Sequence, residues 1–222
     1  MTRKPITDHE IIDDALNLDG SPEAIKRFYD RWAQSYDSDL ADLGYAGPGI
    51  MTALLDKHSQ VLDGDRGALA ILDAGCGTGL IGAELHRLGY PNVDGFDLSP
   101  EMARHAQAGG HYRKALGDID IMTADDTFGT DRYDAVLCAG VFTLGHVAPD
   151  ALNSLLRLAR PGGLLLVSTR SQYYQETDYR KVSGTLIDTG HMALVEAMMD
   201  AGYLDGSTSH FWVYRKAPGP ST

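Results

Sequence analysis

One stretch constrains this chain more than any other: Ile71-Leu-Asp-Ala-Gly-Cys-Gly-Thr-Gly-Leu-Ile-Gly82. It begins in a short apolar run, Leu69 to Leu72, of the kind that forms a buried strand in a parallel sheet. Asp73 stands where that strand should end. Gly75, Gly77 and Gly79 alternate behind it, and Leu80 to Leu88 has the apolar spacing of a helix. Strand, glycine turn and helix in that order put bare backbone where a nucleotide-like ligand can approach it. Counted from Gly75, the third glycine falls one place early for the dinucleotide fingerprint G-x-G-x-x-G; counted from Gly77, the fit is read as failing at Thr78 and Leu80; and the Gly-Lys-Ser/Thr of a P-loop is absent.

The run Asp-x-Gly-x-Gly-x-Gly from Asp73 to Gly79 resembles motif I of the class I S-adenosylmethionine-dependent methyltransferases. Their cofactor has no phosphate, so the resemblance implies a loop that wraps an amino-acid tail and a ribose. Further pieces stand in the order of the same family: Asp97-Leu-Ser-Pro-Glu-Met102, Gly117-Asp118, Tyr133-Asp-Ala-Val136 and Arg160-Pro-Gly-Gly163. Tyr29-Asp-Arg-Trp-Ala-Gln-Ser-Tyr-Asp37 and Ala139-Gly-Val-Phe-Thr-Leu-Gly-His-Val147 are similar, more narrowly, to the methyltransferase-like protein 27 (Williams–Beuren region) group. The resemblance covers residues 25 to 216. It implies the fold and the cofactor, S-adenosyl-L-methionine, and leaves the acceptor undefined.

The rest of the chain reads as a doubly wound, mostly parallel α/β sheet. Ser21-Pro-Glu23 and Ser99-Pro-Glu101 have the chemistry of helix starts, with serine as cap and proline in the first turn. Residues 21–60 read as a helical cap, 68–169 as the cofactor-binding half, and 170–217 as a variable acceptor or lid half. Residues 1–20 read as a flexible arm and 218–222 as a frayed tail. Strands are expected at Val93–Phe96, Tyr112–Leu116, Tyr133–Cys138, Leu164–Ser168 and Phe211–Tyr214, with helices at Pro149–Ala159 and Gly190–Ala201. That last helix leaves room only for a very short sixth strand and a shortened C-terminal hairpin, turning at Asp205-Gly206.

Composition bounds the partners. At 222 residues and a formal charge of −12, the chain opposes non-specific contact with nucleic acid or anionic lipid. Two cysteines, Cys76 and Cys138, suffice for no metal site and suit a reducing cytoplasm. No signal peptide or bilayer-length apolar run is read, so the expectation is a cytoplasmic protein acting on a small-molecule methyl acceptor, without nucleic-acid or membrane partners.

Candidate site residues follow. Asp97 lies 24 residues after Asp73, at a strand end where a carboxylate grips both ribose hydroxyls. Asp118 lies 21 residues further and is preferred over Asp125 and Asp126 to accept the adenine amine, with Leu98 and Ile119 sandwiching the ring. The resemblance adds Asp73, Gly75, Cys76, Gly77 and Ala139 as cofactor contacts. It also adds Tyr36, then Tyr29, as hydroxyls for the methionine carboxylate. Phe28, Trp32 and Tyr36 also fit the apolar face of a packed helix. His146 is a candidate general base, against a role in capping the helix near Pro149, and Arg170 a candidate partner for an acceptor carboxylate. The Asn/Asp-Pro-Pro-Tyr signature of base and amide N-methyltransferases is absent where Cys138-Ala-Gly140 stands. Two rivals remain: a cofactor-binding protein without transfer, and a nicotinamide-dependent oxidoreductase.

Overall fold

A computed structural model describes residues 8–62, 64–204 and 206–218. Residues 1–7 of the expected arm, Asp205 of the expected hairpin turn, and residues 219–222 of the expected tail lie outside the described residues. Seven strands form one sheet: β1 (Ile71–Ala74), β2 (Val93–Phe96), β3 (Lys114–Leu116), β4 (Tyr133–Phe142), β5 (Ala159–Arg170), β6 (Met192–Leu204) and β7 (Ser207–Lys216). Their order is β3-β2-β1-β4-β5-β7-β6. β1 to β5 run parallel, and β7 lies antiparallel between β5 and β6.

All four residues of β1 and of β2 are buried, as expected of strands covered on both faces. On one face lie the N-terminal helices α1 (Asp8–Leu16), α2 (Pro22–Trp32), α3 (Tyr36–Asp42) and α4 (Gly47–His58), with α5 (Leu80–Arg87). Phe28, Trp32, Met51, Leu55 and Leu85 join Ile71 and Leu137 in that core. α6 (Pro100–Ala108) follows β2 and contributes Ala106 to the same core. On the other face Phe128 of α7 (Asp125–Phe128), Leu152 and Leu155 of α8 (Ala151–Leu158), Tyr173 of α9 (Ser171–Glu176) and Tyr179 of α10 (Tyr179–Asp188) pack on Leu72, Val136 and Trp212.

The helix starts form as their sequences dictate. Ser21 Oγ accepts the Ala24 N–H (3.3 Å), and Ser99 Oγ accepts the Met102 N–H (3.1 Å), with Pro22 and Pro100 opening their helices.

Three expectations are corrected. Gly190–Ala201 is not a helix: from Met192 onward its residues are the first part of β6, paired antiparallel to β7 from Met192↔Lys216 to Leu204↔Ser207. Leu194, Val195, Met198 and Met199 recur at a helical spacing, but here they are the exposed side chains of an edge strand. The ladder to β7 is a non-local contact, and it overrides the local period. Nor is the C-terminal hairpin shortened, since β6 has 13 residues and β7 has 10. Residues 8–20 are not a loose arm, because α1 buries Ala15, and Leu18 backbone lies where a Cβ on Gly145 would stand. Among the described residues no helix is long and apolar enough to cross a membrane.

Candidate active site

The strand order reverses between β1 and β4, and in open α/β sheets the crevice at such a switch point, beyond the carboxyl ends of the strands, takes ligands. A cavity of about 270 Å³ lies there. Its lining comes from each loop in turn: Gly75 and Gly77 after β1, Asp97 and Leu98 after β2, Ile119 to Met122 after β3, and Ala139 to Val141 on β4. Gly20, Pro22, Ile25, Tyr29 and Tyr36 close it from the cap.

Asp97 is the polar centre of this cavity. One carboxylate oxygen accepts the Gly77 N–H (2.8 Å) and the other the Ser99 N–H (2.8 Å). Burial pushes its pKa up to about 6; the two N–H bonds pull it down, and nearby Asp30 pushes it up again. A carboxylate has about four lone-pair sites, so two oxygen sites remain for further donors.

Asp73 lies beneath the glycine loop and is not among the residues lining this cavity. It is fully buried, and Tyr112 Oη donates to its Oδ2 (2.6 Å). The Gly82 N–H donates to the same phenol oxygen (2.9 Å). Gly82 must be glycine for this, since a Cβ there would stand 2.3 Å from the Tyr112 ring. Asp73 Oδ1 has no hydrogen-bond partner. Burial raises the Asp73 pKa to about 7 against the pull of Tyr112, and the charge of Asp97 adds to the rise.

The cap is tied to all four loops around the cavity. Thr78, in the loop after β1, donates to Asp37, and Ser99, after β2, donates to Asp30 (2.6 Å). Lys26 pairs with Asp118 after β3, and Tyr29 bonds His146 after β4 (2.7 Å). His146 Nδ1 faces the Leu144 carbonyl oxygen at 3.0 Å, and a carbonyl only accepts, so Nδ1 carries the proton. In neutral His146 the Nε2 is therefore the acceptor and Tyr29 Oη the donor. Burial lowers the His146 pKa and raises that of Tyr29, which keeps the imidazole neutral and the phenol protonated at pH 7.

The chemistry of the lining separates the ligand classes. Gly77-Thr-Gly-Leu-Ile-Gly82 does satisfy the dinucleotide spacing when counted from Gly77, so spacing alone does not exclude a diphosphate. The lining does argue against one. It contains Asp97 and Asp120 and no lysine or arginine, and the Gly77 N–H is already committed to Asp97. An acid with free lone pairs, set among Leu98, Met102, Ile119 and Val141, suits a sugar diol, a flat apolar base and a cationic centre. Those are the parts of S-adenosylmethionine. Residues 71–163 match the family model described as a methyltransferase domain. That stretch of the chain belongs to the methyltransferase-domain family.

The chain is 38% identical over 158 residues to methyltransferase-like protein 27 of Homo sapiens, an alignment that covers 68% of this chain and 61% of that protein. The chain thus spans about three-fifths of the length of that relative. Its fold is shared with magnesium protoporphyrin IX methyltransferase of Synechocystis PCC 6803 with SAH bound, at a TM-score of 0.55 and 20% identity over 77% of this chain and 83% of that one. It is also shared with the [4+2]-cyclase SpnF, at a TM-score of 0.68 and 15% identity over 92% and 99%.

Of the residues the sequence singled out, the main cavity gathers Tyr29, Tyr36, Gly75, Gly77, Asp97, Leu98, Ile119, Ala139 and His146. Asp73, Cys76, Asp118 and Arg170 are not in its lining. Cys76 faces a smaller neighbouring crevice with Tyr45 and Pro48, and burial pushes its thiol well above the usual range. Asp118 has φ 58 and turns its carboxylate to Lys26, while Asp120 lines the cavity and accepts the Met122 N–H (2.8 Å). Arg170 lines a second cavity. Sequence reasoning missed Gly20, Ile25, Asp120 and Ile121. Asp120 and Ile121 continue the alternation of Asp118 and Ile119, a signal that was available, whereas only the folded position of the cap brings in Gly20 and Ile25.

Proposed function

We propose that this methyltransferase transfers a methyl group to a hydroxyl or amine of a small-molecule acceptor, and that Tyr29 and His146 receive the proton released. The observation that carries the proposal is the Tyr29–His146 bond where two cavities meet, with the imidazole proton fixed on the side away from Tyr29.

Asp97 would hold the ribose of the cofactor through its two open lone pairs. Leu98 and Ile119 would clasp the adenine. Tyr36 Oη has no hydrogen-bond partner among the described residues and is left to meet the methionine carboxylate. Bound there, S-adenosylmethionine supplies a methyl on a sulfonium, an electrophile that needs no further activation. The protein's part is then mainly to hold the acceptor in line, an effect worth roughly 7 to 11 kcal/mol in ideal cases. As the acceptor loses its proton to Tyr29 Oη, Tyr29 hands its own to His146 Nε2, so neither group has to leave its position.

The name of the Synechocystis neighbour, a porphyrin methyltransferase, supports a small-molecule acceptor for this fold. The name of SpnF shows the same fold with a cyclase, so the fold by itself does not decide for transfer. The C-terminal hairpin is full-length, with 13 residues in β6 and 10 in β7, and lends no support to a non-transferring protein.

Transfer of labelled methyl to a panel of small hydroxyl and amine compounds tests the reading. With an acceptor found, Tyr29→Phe and His146→Gln should each lower kcat/KM for a hydroxyl by about 10²–10⁴-fold while SAH affinity stays within threefold. SAH binding with no transfer to any compound of a whole extract would reject it in favour of a cofactor-binding protein.

A further inference from the structure

The second cavity has a composition of its own. It holds about 60 Å³ under α1 and the cap, walled by Ile12, Leu16, Trp32, Tyr45 and Tyr203 and bearing one cation, Arg170. It shares Tyr29, Tyr36, Gly140 and His146 with the main cavity. Gly140 stands at the passage between them. Its φ is +78°, a backbone state that disfavours side chains, and a Cβ there would sit 3.3 Å from the Tyr203 hydroxyl and 3.4 Å from that of Tyr45. Any side chain at 140 would stand between the two spaces.

Arg170 ends β5 on the sheet edge that also carries Ala139 and Gly140. Its guanidinium carbon is 5.3 Å from the centre of the Tyr203 ring. In a chain with 31 acidic residues against 19 Lys and Arg, several arginines are taken up by carboxylates. Arg113, Arg157 and Arg160 are too, closing on Asp94 (2.8 Å), Asp125 (2.8 Å) and Asp134 (2.5 Å). Arg170 has no carboxylate partner among the described residues; it has an aromatic face beneath it and a cavity in front. A guanidinium presents a planar fork of donors that matches a carboxylate in two parallel bonds, and aromatic stacking leaves that fork free.

We propose that this second cavity seats the acceptor, and that the acceptor is a small aromatic or apolar carboxylate whose acid group pairs with Arg170. The inference rests on the transfer reading above and names its substrate class. The volume suits the carboxylate end alone, so the rest of the acceptor lies in the passage past Gly140. That places its reacting hydroxyl or amine beside Tyr29.

The test uses the full chain saturated with SAH, titrated in a calorimeter with benzoate and with benzamide, which share a shape and differ in charge. Benzoate should bind at least tenfold more tightly than benzamide. Arg170→Gln should abolish that preference and leave SAH affinity unchanged, and Arg170→Lys, which keeps the charge but not the fork, should retain part of it. Equal affinities, absence of binding by both probes, or a preference that survives Arg170→Gln would each overturn the proposal. The SAH titration that precedes the probes keeps the two readings apart. Loss of SAH binding in the wild-type protein refutes the cofactor site, whereas normal SAH binding without discrimination refutes only the acceptor class.

Discussion

The pKa of Asp97 turns the assignment of the ribose site into a measurable pH dependence. Two of its lone-pair sites are occupied by the N–H groups of Gly77 and Ser99, and the other two can take a diol only as acceptors, which requires the ionised form. Burial holds its pKa near 6 in the free protein, so a ligand that selects the carboxylate must displace a proton at lower pH. At pH 5.5 about a quarter of the molecules have Asp97 ionised, and at pH 7 about nine-tenths, which makes binding about fourfold tighter at pH 7, or ~0.8 kcal/mol. The lower limit stays above the isoelectric point of 4.9, where the protein would lose solubility. Calorimetry with SAH in two buffers of different ionisation heat reads both quantities: the affinity ratio, and a release of about three-quarters of a proton per ligand at pH 5.5. Asp97→Asn should remove the slope and weaken binding at pH 7 by about 1.5–3 kcal/mol, the scale of hydrogen bonds to a charged group. Asp73→Asn should keep the slope, because Asp73 lines no part of the main cavity. Affinities within 1.5-fold at the two pH values, or a slope that survives Asp97→Asn, would refute the reasoning.

Two further outcomes follow from the same structure. Asp73 has an ordinary pKa of 3.8 and a folded value of about 7, so between those values the folded chain holds a proton that the unfolded chain has lost. Its contribution to stability therefore falls as pH rises through that window; the apo-protein should melt lower at pH 7.5 than at pH 6, and Asp73→Asn should flatten the difference in calorimetric Tm. Leu194 is 45% exposed on the outer strand, so Leu194→Glu should change the urea-unfolding free energy by no more than about 0.5 kcal/mol. A loss of 2 kcal/mol or more, on the order expected for a core leucine, would show that this segment packs as the amphipathic helix its spacing suggests.

The local chemistry of the chain determined the centre of the fold by itself. Short apolar runs read as buried strands, Ser-Pro-Glu reads as a helix start, and alternating glycines after an aspartate read as a ligand turn, because each signal depends on a few adjacent residues. Asp97 was legible for the same reason: it ends a strand at a fixed distance from that turn. What contacts between distant segments settle was not legible. The stretch from Met192 to Leu204 has a helical period, and only its ladder to β7 makes it a strand. Nothing near Asp118 in sequence announces that Lys26 takes its carboxylate while Asp120 lines the cavity. Likewise, the tautomer of His146 and the open face of Arg170 depend on which atoms the fold sets opposite them, and no neighbouring residue carries that information.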